Sequence, residues 1–325
     1  MRVVVYSDFH YAGAAERSRR GFEARAIGNP VLRGLALAWR HWIWLRDPMA
    51  HNHRLDALLA ANPAPDLAVV NGDFTVDSAF VGVSDDAALA SAAEVLGRLR
   101  AAYGPRLLAT IGDHELGKQS LFGGAGGLRL ESWHRCAEAL ALEAVWRRDF
   151  GPWSLVGIAS TPVALPVFSP EMLPSERSDW ESVGRNVREQ VRAVLDSIAS
   201  DRRIVLLVHD PSALPFLARE ACVVDRLPQV AQTIVGHLHT PSLFRLAQGL
   251  AGMPRIGFLG NTVRRYSSAL REARVWRDFR TVLCPSPAGI QLLKDGGWLE
   301  LDLPLDSAES GLQIRRHRLP WDPQG

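Results

Sequence analysis

The stretch "RLLATIGDHEL", Arg106 to Leu116, decides the fold. Its first half is an apolar run that reads as a buried strand, and Asp113, His114 and Glu115 follow at the strand's end. Charged groups in that position cost free energy unless something pairs with them. Two upstream runs repeat the pattern. "RVVVYSDFH" (Arg2 to His10) ends in Asp8 and His10, and "DLAVVNGDF" (Asp66 to Phe74) ends around Asp73. Between the second and third runs lies "DDAALASAAEVLGRLRAAYG". Its apolar residues recur at helical spacing, Ser84 or Asp85 can cap its start, and Gly104-Pro105 ends it. Strand, helix, strand is a βαβ unit, and such units build parallel sheets.

The pattern continues downstream. "WSLVGIAST", "RRIVLLVHDP" and "QTIVGHLHTP" read as strands, the last two ending in His209 and in His237 and His239. "GRNVREQVRAVLDSIAS" is an amphipathic helix. "AGIQLLKDGGWLELDL" reads as a hairpin around Asp295-Gly296-Gly297. The glycine-rich "LFGGAGGLR" (Leu121 to Arg129) lacks the Gly-Lys-Ser/Thr ending of a phosphate-binding loop and is expected to be a flexible loop beside the site.

The totals narrow the class. The 325 residues are 47% hydrophobic, enough for a sizeable core. Lys and Arg (37) nearly cancel Asp and Glu (35), which argues against a general nucleic-acid binder. Cys136, Cys222 and Cys284 are far apart and odd in number, so core thiols in a reducing compartment are expected rather than disulfides. The opening "MRVVVYSD" is too short and too quickly interrupted for a signal peptide, and no run approaches the ~20 apolar residues of a membrane span. A cytoplasmic protein is expected.

In open α/β sheets ligands bind beyond the carboxyl ends of the strands. Five strand ends therefore bring Asp8, His10, Asp73, Asp113, His114, His209, His237 and His239 to one edge of the fold. Carboxylate and imidazole without thiolate suit Zn, Mn or Fe. The candidates are too many for one tetrahedral ion, whereas two ions sharing a carboxylate would use them.

The ordered fragments "DFH", "GDF", "GDHE", "VHD" and "GHLH", from Val3 to about Asn261, resemble the calcineurin-like metallophosphoesterases. The resemblance implies an α/β fold, a β-sandwich flanked by helices. It would form a single domain over 1–325, with a helical insertion at 12–55 after the first strand and a C-terminal strand extension and tail at 281–325. It implies two divalent or mixed-valence metal ions (Mn, Fe or Zn). Asp8, His10 and His239 would hold the first, Asp113, His209 and His237 the second, and Asp73 would bridge them. His114 would be catalytic rather than a ligand, stabilising or protonating the leaving oxygen, and Glu115 would orient His114 or be a surface residue. A metal-bridging hydroxide would hydrolyse a phosphate ester or pyrophosphate bond. The other class is a non-catalytic scaffold on the same fold.

The family usually has Asn where this chain has Asp113. An ionised Asp lowers the charge of the centre by one unit. It is expected to hold its metal more tightly but to make the centre less attractive to an anionic phosphate.

The insertion contains "NPVLRGLALAWRHWIWLRDP". On a helix Val31, Leu32, Leu35, Ala38, Trp39, Trp42, Ile43 and Leu45 cover more than half the circumference, with Arg33 and Arg40 opposite. So wide an apolar face is expected to be buried against the domain. The alternative is an interfacial helix in peripheral contact with the inner membrane face. It is similar in character to the acyl-gripping helical insertions of metallophosphoesterases of lipid A synthesis, which cleave UDP-diacylglucosamine; His114 sets this chain apart from those enzymes. His51 and His53 are expected in a solvated turn. The pattern selects no single phosphorylated or lipid-linked substrate and no oligomeric state.

Overall fold

The computed structural model describes residues 1–62, 64–122, 124–258, 260–307 and 311–321. Among these residues ten strands form two five-stranded sheets. In the first, β1 (Arg2–Tyr6), β2 (Leu67–Asn71) and β3 (Leu107–Thr110) run parallel, and β9 (Gly297–Asp302) and β10 (Gln313–Arg318) extend it in the order β10-β9-β1-β2-β3. In the second, β4 (Val145–Phe150) is antiparallel to β5 (Trp153–Ile158), and β6 (Arg203–Val208), β7 (Val230–Val235) and β8 (Thr281–Leu283) follow in parallel.

Side chains alternate across each strand. Val3 and Val5 of β1 join Leu67, Val69, Leu155, Val205, Leu207 and Ile234 in a core between the sheets. Val4 and Tyr6 face the other way, into a larger core shared with the helices. The molecule is thus the helix-flanked β-sandwich the sequence implied. Asp86–Tyr103 is the helix between β2 and β3. Asp85 caps it, accepting from Ala88 N at 3.1 Å, and Val95, Leu96 and Leu99 are buried on its inner side.

Three readings need correction. The hairpin over 288–303 does not form, because β9 is taken up by β1 on one side and β10 on the other. The run before it is a loop held to the insertion, with Gln291 N donating to Trp44 O (2.5 Å) and Leu292 N to Ile43 O (3.2 Å). The partner strand, "QIRRHR", lies ten residues further on and is too charged to read as a strand; positions 308–310 and 322–325 of the expected C-terminal extension lie outside the described residues. His51 is buried rather than solvated, and His53 opens the helix His53–Ala61.

The third correction concerns the insertion, which folds as the helices Ala14–Arg17, Phe22–Ala26, Pro30–Trp42 and His53–Ala61. Pro30–Trp42 buries none of its side chains, and Trp42 is 69% exposed. Its arginines are tied to the preceding part of the insertion: Arg33, though exposed, donates to Ile27 O (2.8 and 3.0 Å), and half-buried Arg40 pairs with Glu23. Those polar anchors turn Val31, Leu35, Trp39 and Trp42 outward. Only the continuation docks, through the buried Leu45 and Met49. Among the described residues no helix is long and apolar enough to cross a membrane. Cys136 and Cys284 are buried, Cys222 is half-buried, and all three are free.

Candidate metal centre

The ends of β1, β2, β3, β6 and β7 meet at one edge of the sandwich. Pairing between β1 and β2 continues past the strands, with Asp8 N donating to Gly72 O (3.1 Å), His10 N to Asp73 O (3.1 Å) and Tyr11 N to Phe74 O (2.8 Å). Gly72 has φ +84°, and a Cβ there would lie 2.7 Å from Gly112 Cα and 2.8 Å from His209 Nδ1. The motif glycine thus lets three strand ends close on one another. Asp8, His10, Asp73, His237 and His239 all have positive φ, between 45° and 65°. Such conformations cost about 1–3 kcal/mol each in non-glycine residues and cluster at functional sites, where the surroundings enforce them.

The side chains fall into two groups. In one, Asp73, Asp113, His209 and His237 converge: His209 Nε2 is 3.1 Å from Asp73 Oδ2 and 3.2 Å from Asp113 Oδ1, and His237 Nδ1 is 3.0 Å from the same Asp113 oxygen. In the other, His10 Nε2 and His239 Nε2 face each other at 3.0 Å, with Asp8 Oδ1 at 3.8 and 3.6 Å. Asp73 Oδ2 lies between the groups, 3.8 Å from His10 Nε2. His114 also comes within ligand reach, forming a third grouping with His10 and Asp73. Among the described residues, neither His51 nor His53 belongs to such a grouping.

Supporting contacts set these orientations. His237 N donates to both oxygens of Asp8 (3.0 and 3.1 Å), and His114 N donates to Asp73 Oδ1 (3.0 Å). The His209 Nδ1–Asn71 O contact (2.5 Å) assigns the proton to Nδ1 and leaves Nε2 toward the carboxylates, as a ligating imidazole requires. Likewise His114 Nδ1 meets Val76 O at 2.9 Å, so its Nε2 can accept from Lys118 Nζ. The Nδ1 atoms of His10 and His239 have no hydrogen-bond partner among the described residues; ring contacts orient them, His10 on His239 and Trp44 against His239, each at 4.8 Å.

Glu115 is fully buried, and its hydrogen bonds go to backbone amides rather than to His114's ring. It accepts from Gly112 N (2.8 Å), Asp73 N (3.0 Å) and Phe74 N (2.7 Å), tying the end of β3 to the Asp73 loop. Its place is therefore structural, underneath the site.

The electrostatics fit cations. Burial, then His114, holds the His10 imidazole well below its usual pKa, and burial, then His10, does the same for His239, so both present lone pairs. Burial would lower His209, but Asp73 and Asp113 outweigh it and raise that pKa well above normal. The proton they favour at Nε2 is one that a metal ion in the same place would displace. Burial opposes ionisation of Asp113, yet His237, Lys118 and His209 hold its pKa well below the usual range. Burial, then Lys118, pushes His114 down to about 3. The donor set, carboxylate and imidazole without thiolate, suits Zn, Mn or Fe.

Lys118, Arg265 and Trp44 border these candidate ligands; Trp44 belongs to the tryptophan-rich insertion, whereas the sequence marks neither Lys118 nor Arg265 as part of a site. Lys118 had the nearest thing to a signal, lying one helical turn beyond His114.

Residues 1–241 match the sequence profile of the calcineurin-like phosphoesterases. The structure resembles that of a dimetal phosphatase from Danio rerio, with 13% identity, a TM-score of 0.52, and coverage of 98% of this chain and 97% of that one, a likeness of fold. A phosphopantetheinyl hydrolase from Mycobacterium tuberculosis overlaps more loosely, with 13% identity, a TM-score of 0.33, and 74% of this chain and 83% of that one covered. No curated protein sequence matches the chain.

Proposed function

Since the chain belongs to the calcineurin-like phosphoesterase family and is a metal-dependent phosphoesterase, we propose that it cleaves a phosphate ester or pyrophosphate bond at the edge where β1, β2, β3, β6 and β7 end. The observation that supports this most is the position of one atom. Asp73 Oδ2 lies between His209 Nε2 at 3.1 Å and His10 Nε2 at 3.8 Å, so a single carboxylate can serve two cations.

In this reading Asp8, His10 and His239 would hold one metal, Asp113, His209 and His237 the other, and Asp73 would join them. Bound there, the ions would polarise the phosphoryl group and acidify a water molecule. The chain's own groups do the rest. Asp73 Oδ1 accepts from His114 N and so fixes the backbone that carries the imidazole. His114 Nδ1 is held by Val76 O and its Nε2 meets Lys118 Nζ, an ammonium that would give Nε2 the proton the leaving oxygen needs. Treatment with a chelator is expected to abolish hydrolysis of aryl phosphate and pyrophosphate substrates, and readdition of Mn²⁺ to restore it. Undiminished turnover after the metals are stripped would refute the reading.

The outward apolar face of Pro30–Trp42 supports a second reading, in which the substrate is lipid-linked and met at a membrane surface. A helix whose arginines are tied to Ile27 O and Glu23 leaves Trp39 and Trp42 exposed for a partner, and the Trp44–His239 contact joins this segment to the candidate ligands. Trp42→Glu is expected to leave the fold and metal content intact, within about 0.5 kcal/mol of stability. It should weaken binding to anionic liposomes while sparing a small soluble ester. A loss of many degrees in melting temperature, or unchanged liposome binding, would remove this reading.

A further inference from the structure

Asp113 offers its two oxygens to different neighbours. Oδ1 faces the histidines, and Oδ2 faces two cations, Lys118 Nζ at 3.3 Å and Arg265 Nη1 at 3.8 Å. Lys118 follows the short helix Asp113–Leu116, and its ammonium also meets His114 Nε2. Arg265 comes from the helix Asn261–Leu270, beyond the family match, and lies over the Phe168 ring at 5.5 Å. Both side chains are mostly enclosed, 18% and 12% exposed.

Enclosed cations cost several kcal/mol each unless paired. Buried Glu171 completes the pairing. Its Oε2 accepts from Gln119 N at 2.9 Å and lies 3.5 Å from Arg265 Nη1, so one carboxylate fixes Arg265 and the backbone next to Lys118. Asn261 Nδ2 donates to Ser120 O at 3.2 Å, a second tie between the same two segments. The cations are therefore held in place before any ligand arrives. They stand against Asp113, and Lys118 stands against His114 as well, where a phosphoryl group in contact with the ligand cluster and with His114 would lie.

We propose that Lys118 and Arg265 form an anion subsite that grips the phosphoryl oxygens of a doubly charged substrate, a phosphomonoester or a terminal phosphate, in preference to a singly charged diester. The proposal rests on the hydrolytic reading above. Arg265 supplies a planar fork suited to two phosphate oxygens, and Lys118 a point charge. The pair also answers the charge of Asp113. Where an amide ligand would be neutral, this carboxylate is offset by Lys118 and shares Arg265 with Glu171, so the site stays attractive to anions. An Asn at 113 would lose that counter-charge and leave both cations without their shared partner.

Calorimetric titration of inorganic phosphate into the metal-loaded protein tests this, with bound metal counted in the same samples. Lys118→Met and Arg265→Gln are each expected to weaken phosphate binding about tenfold to a hundredfold, the worth of one charge-assisted hydrogen bond, with metal content unchanged. The ratio of kcat/KM for an aryl phosphomonoester over an aryl phosphodiester should fall by a similar factor. Arg265→Lys should lose less than Arg265→Gln. Should Arg265→Gln fail to fold because Glu171 keeps only Arg264, at 4.0 Å, as a charged partner, Lys118→Met and Arg265→Lys still decide the matter. Unchanged phosphate affinity with both metals retained would overturn the subsite and leave the hydrolytic reading standing. Loss of metal in a variant would make that residue a support for Asp113 and overturn its assignment to substrate. A wild-type protein that binds no metal and cleaves no ester would sink the hydrolytic reading, and the subsite with it.

Discussion

Replacing Asp73 with Asn is expected to abolish turnover and to lower bound metal. The side chain is buried and almost every contact it makes belongs to the site. Oδ1 accepts from His114 N (3.0 Å), and Oδ2 lies 3.1 Å from His209 Nε2 and 3.8 Å from both His10 Nε2 and His114 Nε2. Asn preserves the shape but has one oxygen for two tasks. If that oxygen keeps the bond from His114 N, an NH₂ group faces the imidazoles and repels a cation. If it turns the other way, the NH₂ opposes His114 N–H. The negative charge between the two ligand groups is lost in either case. The fall in kcat should exceed the ~10²–10³ that follows loss of one preorganised electrostatic donor. Elemental analysis beside the kinetics, with circular dichroism to confirm the fold, checks it. Full activity with two metals bound would remove Asp73 from the centre.

His114→Ala is expected to reduce turnover by ~10²–10⁴, the usual worth of general acid–base help, while leaving metal content nearly intact. Its Nδ1 is committed to Val76 O and its Nε2 to Lys118, although it comes within ligand reach of His10 and Asp73. The loss should shrink for substrates with good leaving groups, which need little protonation. Metal analysis separates the two roles: a variant that loses an ion would make His114 a ligand.

The parallel strands are legible because each is a short apolar run that stops at a polar residue. The order of those stops alone brings eight ionisable side chains to one edge. What escaped had no local mark. Arg265 sits in "NTVRRYSSAL", where nothing distinguishes it from Arg264, and only the fold places it 3.8 Å from Asp113 Oδ2. The strand "QIRRHR" has no buried alternation because it is an edge, with Arg315 paired to Glu300. Glu115 looks like a surface residue until the Asp73 loop folds over it and its amides point inward. The helix Pro30–Trp42 teaches a related lesson. Its periodicity shows that two faces differ, but which face is left exposed depends on Ile27 O and Glu23, partners 6 and 17 residues back along the chain from Arg33 and Arg40.

The two-ion centre is tested most directly by counting metal per chain. After loading with Mn²⁺ and removal of free ion by gel filtration, elemental analysis should find two equivalents in the wild-type protein and one or fewer in Asp73→Asn. A wild-type protein that hydrolyses phosphate esters with one equivalent or none, or an Asp73→Asn variant that keeps two, would contradict a centre built around Asp73.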